Sequence, residues 1–115
     1  MSEENLKNYA FAYYDKDAEN GLLTLAGASQ KKAEYCEQNN LHVKNYSIKE
    51  LAFLSHKSDS VLRAVTCRPE FNKLFIHNQE HKTKRVLPET HLTEFLAMVK
   101  QYYNRLDGRF KNIRA

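Results

Sequence analysis

Five histidines and two cysteines are the side chains of this 115-residue chain best suited to metal or nucleophilic chemistry. His77 and His81 bracket Glu80 in the run His77-Asn78-Gln79-Glu80-His81. On a helix, a four-residue spacing sets two imidazoles on one face, where they could share a zinc ion with the carboxylate as base. Cys36 and Cys67 form no CxxC pair, and a structural zinc built from Cys67, His77 and His81 lacks the paired ligand spacing of such sites. Gly21, Gly27 and Gly108 stand alone, so no glycine-rich phosphate loop exists. No Ser/His/Asp or Cys/His arrangement is legible. The expectation is therefore no catalytic residue, no metal and no cofactor.

The HxxEH order of residues 77–81 is similar to that of the inverzincin metalloproteases. Such a site needs a third ligand far away in sequence, and none is recognisable here. A non-enzymatic protein that works by binding is the better expectation. The charge distribution points the same way. Residues 1–40 hold four Lys against seven Asp/Glu, a net −3, whereas residues 41–115 hold fourteen Lys/Arg against seven Asp/Glu, a net +7. A positive field on one part of a domain favours polyanions or acidic partners, although Lys and Arg also serve simply to solvate helix faces.

The basic part contains Ser47 to Pro69, SIKELAFLSHKSDSVLRAVTCRP. Ser47 and Glu50 form a capping box. Ala52 is small enough for a close helix crossing, and Leu62 and Val65 fall at inward positions of a second helix. This stretch resembles the helix–turn–helix of bacterial repressors of the LacI type over about a fifth of the chain. The resemblance implies that Ser58, Ser60 and Arg63 approach base edges from the second helix, with Lys49 and Lys57 near phosphates. His81, Lys82, Thr83, Lys84 and Arg85 would form a basic wing beside the duplex if residues 73–87 are a strand pair. The sequence departs from the family at the turn, where His56 stands for glycine and Lys57 for an apolar residue. A non-glycine residue in left-handed backbone costs about 1 kcal/mol. Asp59 would also repel phosphate.

The same residues look like one unit of the leucine-rich-variant and HEAT-like helical repeats, in which His56 and Lys57 are ordinary turn residues. No second copy accompanies it, and repeat units need stacked neighbours. Packing of that kind would point to a protein partner, as for a small immunity protein or inhibitor acting by stoichiometric complex formation. The partners expected are thus duplex DNA or, as the alternative, one cognate protein, with a homodimer left open and no membrane. The tyrosines, clustered at Tyr9, Tyr13, Tyr14 and at Tyr102, Tyr103, read as core-edge residues or as an exposed binding face.

The elements that must position these residues read as mainly α: a compact five- or six-helix single domain, with acidic helices over 1–40 and a basic helical part over 41–115. Hydrophobic residues make up 42% and charged residues 28%, enough for one modest core. Three Gly and two Pro argue against a turn-rich β-sandwich. Ser2 caps a first helix whose apolar face is Leu6, Tyr9, Ala10 and Tyr13. A second helix spans about Asp17 to Asn39 with Leu22, Leu25, Ala26, Ala33 and Cys36 inward, its start weakened by Gly21 and Gly27. Two short helices follow, Ile48, Leu51, Ala52 and Leu54 facing inward on one and Val61, Leu62 and Val65 on the other; Pro69 ends the second. Residues Phe71 to Leu87 form a short helix or, over 73–87, a small hairpin with strands Lys73–His77 and Thr83–Leu87. A last helix runs over 88–106, with Pro88 at its first position and Asp107-Gly108 as its stop. No apolar run approaches membrane-spanning length, and MSEENLKNY does not read as a secretory leader, so a cytoplasmic protein with free thiols is expected.

Overall fold

The computed structural model describes residues 2–77 and 85–114, from 106 onward by backbone alone. Helix α1 (Glu3–Glu19) starts where Ser2 Oγ accepts the Asn5 N–H, and Glu3 and Glu4 lie at its positive end. It does not run on into the next helix. Gly21 takes a left-handed φ of 78°, and Thr24 starts α2 (Leu25–Gln38) by accepting the Gly27 N–H at 2.9 Å. A Cβ on Gly27 would stand 3.0 Å from that capping oxygen, which is why glycine suits the position. Asn40, at φ 52°, ends α2, with Leu41 N–H donating to Cys36 O and Asn40 N–H to Glu37 O.

Strand β1 (Asn45–Ser47) leads directly into α3 (Ile48–Ser55), whose capping box of Ser47 and Glu50 forms in both directions. Then come α4 (Asp59–Thr66), capped by Ser58, the single turn α5 (Pro69–Asn72), β2 (Ile76–His77) and β3 (Arg85–Pro88). A 3₁₀ turn, Glu89–His91, feeds α6 (Leu92–Arg114). Among the described residues the chain thus forms six α-helices and one antiparallel sheet ordered β1-β3-β2, with Tyr46 opposite Leu87 and Ile76 opposite Val86. The hairpin expected near 73–87 is present, its described part beginning at Ile76 rather than Lys73 and ending at Pro88, and β1 adds a third strand. No helix among the described residues is long and apolar enough to cross a membrane.

One apolar cluster holds α3, α4, α5, β3 and α6 together: Leu51, Ala52, Leu62, Val65, Phe71, Leu74, Phe75, Leu87, Phe95 and Val99. Phe95 is fully buried and meets Phe71 and Phe75 edge to face, with centroids 6.1 and 5.6 Å away. Neither α1 nor α2 contributes to this cluster. Their buried residues are Lys7 and Ala10 on α1 and Ala28, Ser29, Lys32 and Cys36 on α2.

Several expected faces are corrected by this arrangement. Tyr9 (76% exposed) and Tyr13 (61%) point to solvent, because the inward row of α1 is the one that carries Lys7. Leu22 lies in the linker between α1 and α2 and is exposed, as is Ala26; Leu54 and Val61 are exposed too. Pro88 closes β3 rather than opening a helix, since its partner Asn45 holds it in the sheet. The last helix starts at Leu92 and continues through Asp107-Gly108 to Arg114.

Candidate nucleic-acid interface

The unit α3–turn–α4 is built from local rules. His56 adopts φ 59°, ψ 36°, the left-handed position that a turn at this point requires. The turn is closed by Lys57 N–H to Ala52 O at 3.0 Å and His56 N–H to Phe53 O at 3.3 Å, so the strain of a non-glycine residue is offset by two satisfied carbonyls. Lys57 is not driven inward. It is exposed, and its Nζ lies 4.3 Å from the centre of the Tyr103 ring of α6. Just beyond the other end of α4, Arg68 stands 5.3 Å from the Tyr102 ring and pairs with Glu70 at 3.1 Å. Tyr102 and Tyr103 contact each other at 5.2 Å, edge to face. Burial raises the Tyr103 hydroxyl above its ordinary value, so the ring remains a neutral platform at physiological pH. Two cations at the flanks of α4 therefore rest on one aromatic pair of α6.

The residues singled out from sequence divide into three groups. Ser58, Ser60, Arg63, Lys57 and Lys49 are all exposed on this unit. The Ser58 oxygen accepts the Val61 N–H at 3.2 Å, which leaves its own hydroxyl proton free to donate outward. Arg85 does something else: its guanidinium donates to Thr66 O at 2.9 Å, Thr66 Oγ1 at 3.0 Å and Asn72 Oδ1 at 3.3 Å, and lies 5.6 Å from the Phe75 ring. It ties the end of α4 to the sheet and is half-buried in doing so. Lys82 and Lys84, with His81, lie outside the described residues. The exposed apolar residues of the same two helices are Phe53 (82% exposed), Leu54 and Val61.

His77 belongs to β2, where the one-face helical spacing of two imidazoles does not apply; His81 and Glu80 lie outside the described residues. Among the described residues no three His, Cys, Asp or Glu side chains converge on one point. A pocket of about 460 Å³ opens at the seam of α2 and the 3₁₀ turn, lined in part by Cys36, Leu41, Pro88, Thr90 and His91. Burial raises the Cys36 thiol, and burial lowers His91 despite the opposing pull of Glu94. A neutral thiol beside a neutral imidazole is a poor nucleophile pair, so this pocket offers no activated cysteine.

What composition did not announce is the polar seam behind the unit. Lys7 Nζ lies 2.6 Å from Glu89 Oε1 and donates to His42 O at 3.2 Å. Lys32 Nζ lies 2.5 Å from Asp15 Oδ1, a Coulombic contact without good hydrogen-bond direction, and donates to Thr93 Oγ1 at 3.5 Å. Ser29 donates to Glu94 at 2.9 Å in a buried bond. Lysines read as solvated in a sequence; only their distant partners could have revealed the burial.

Comparison of the chain with protein-family models, curated proteins and solved structures finds no match.

Proposed function

We propose that this chain is a small non-enzymatic, cytoplasmic regulatory protein that binds duplex DNA, with α4 in the major groove and the β2–β3 connection beside the backbone. One observation carries the reading: a strand, two helices joined by a left-handed turn, the single turn α5 and then a strand pair follow one another, an order similar to a winged helix–turn–helix. In that order the outer face of α4 is solvated and carries Ser60 and Arg63. Ser58, Lys49 and Lys57 flank that face, and the β2–β3 connection contributes Lys82 and Lys84 by sequence. Arg85 supports the wing and α4 rather than meeting phosphate. The net +7 of residues 41–115 supplies the salt-dependent attraction that non-specific binding needs.

Fluorescence anisotropy with a labelled duplex of arbitrary sequence, titrated across salt, tests this. The chain should bind at low salt with a steep decline of log affinity against log salt. Each phosphate contact removed, as by Lys57→Ala or Lys84→Ala, should flatten that slope by about 0.9. Absence of duplex binding at low salt ends the proposal.

A second reading rests on Phe53. An aromatic side chain 82% exposed, on a unit that also exposes Leu54 and Val61, suits a protein interface. A single cognate protein bound by stoichiometric complex formation would use that patch, and Phe53→Asp would abolish it while leaving duplex binding intact.

A further inference from the structure

The outer face of α4 has a composition that selects what it can read. Leu62, Val65 and Thr66 are buried, so the 3.6-residue period turns Ser60, Ala64 and Cys67 to the middle of the solvent face. Arg63 stands on one flank and Val61 on the other. The three central side chains are short, which lets the helix backbone lie close to the floor of a groove. Only one side chain of this face is long and charged. In the major groove an arginine donates two parallel N–H bonds to O6 and N7 of guanine, and small aliphatic side chains pack on the C5 methyl of thymine.

We infer that α4 reads a short, thymine-containing site with a single specified guanine, Arg63 taking the guanine and Ala64 and Val61 taking thymine methyls. The inference rests on the DNA-binding reading above and adds the identity of the bases. Arg68 lies beyond α4 as the cap of α5, its Nε paired with Glu70 and its guanidinium over the Tyr102 ring, so Arg63 is the arginine of this face. Lys57 precedes the cap of α4 and rests on the Tyr103 ring, so it is not part of this helix face. The expected specificity is therefore modest, with most affinity coming from phosphates.

The test uses the full chain and a pool of randomised duplexes, with selection at moderate salt followed by anisotropy on the enriched duplex. The expected result is one invariant G·C pair with thymine within two steps of it. Substituting 7-deazaguanine at that guanine should weaken wild-type binding about tenfold and leave Arg63→Ala unaffected. Replacing the neighbouring thymine by uracil, which removes only the methyl, should cost about threefold to fivefold. Arg63→Ala is an exposed change, and circular dichroism verifies that it folds. An enriched site without guanine, or one that Arg63→Ala selects unchanged, overturns the inference. So does uniform binding without enrichment, which leaves the DNA-binding reading standing. No binding to any duplex removes that reading and the base assignment with it.

Discussion

The two parts of this molecule are held together by different physics. Helices α3 to α6 and the sheet share an apolar cluster centred on Phe95, Leu51, Leu62 and Leu87, each fully buried. The α1–α2 hairpin instead reaches the 3₁₀ turn and α6 through polar contacts, Lys7 to Glu89, Ser29 to Glu94 and Lys32 to Thr93, while the Lys32–Asp15 pair ties α2 to α1 within the hairpin. Hydrophobic burial is non-directional and survives small shifts, whereas a buried ion pair keeps its value only while both partners remain in place. The difference makes the hairpin a precisely oriented but separable attachment, and the α3–α6 body the part that must be intact for α4 to be presented.

Disrupting the body should have the largest effect. Phe95→Ala empties the centre of the cluster and should cost about 3–5 kcal/mol, read as one cooperative loss of helix signal in chemical denaturation. The seam should respond differently to its two partners. Asp15→Ala leaves the Lys32 ammonium, 2% exposed, without its carboxylate and should cost about 3 kcal/mol. Lys32→Met removes the buried charge itself, while the Asp15 side chain, 32% exposed, can turn to water; it should cost clearly less, and adding it to Asp15→Ala should recover stability. Hydrogen exchange should show the seam variants losing protection in α1 and α2 first. Equal loss throughout the chain would mean that the two parts unfold as one.

The body was more legible in the sequence than the seam, for the same physical reason. Ser47 with Glu50, Ser58, and Pro69 are local signals, and each fixes a boundary without help from distant residues. Leu62 and Val65 repeat at helical spacing and are buried as expected. In α1 the burial of Lys7 runs against any hydrophobic pattern, so Tyr9 and Tyr13 look like the inward face until Glu89 is known to lie 2.6 Å from Lys7. Glu89 is far away in sequence, and nothing local announces the pairing. The identity of Arg85 as a brace for Thr66 and Asn72, rather than a free wing cation, is hidden in the same way. Strand β1 is only three residues long, too short for an alternation to register.

The seam should also be the part that senses pH, within a window set by its own groups. Burial opposes the charge on Lys7, but Glu89 and Glu4 outweigh it, and its folded value lies above the ordinary 10.5. Its contribution is therefore complete below 10.5 and is lost as pH climbs through the folded value. Cys36, raised by burial above 9.0, acts with the same sign from a somewhat lower pH. His91 acts from the acid side: burial lowers it beneath 6.5, with Lys32 adding to the effect and Glu94 opposing it. Protonation then favours the opened form, so stability is lost as pH falls from 6.5 through the folded value. Amide exchange of α2, corrected for intrinsic rates, should show greatest protection between about pH 6.5 and 9 and decline beyond either edge. The body, whose buried cluster holds no titratable side chain but is flanked by Tyr103, raised by burial above 10.0, should stay flat between about pH 5 and 10 and decline only above that; a decline of the body at the acid edge, parallel to that of α2, would contradict the division.

The smallest stability effect, and the most informative about function, comes from the two cysteines, one in each part. Cys36 lies 2% exposed on α2, its thiol kept neutral by burial. Cys67 is exposed at the end of α4, where its Sγ donates to Arg63 O at 3.1 Å. Under native conditions a maleimide should modify Cys67 and spare Cys36, since only an exposed thiol can reach the thiolate that reacts. Mass spectrometry should find a single adduct, with a stability change within about 0.5 kcal/mol because the site is on the surface. The same adduct sits in the middle of the face assigned to the major groove, between Arg63 and the duplex floor. A bulky maleimide there should abolish duplex binding, while Cys67→Ser should retain it and become insensitive to the reagent. Modified protein that binds duplex as before would place the DNA surface elsewhere and leave Phe53, with its protein partner, as the function of this unit.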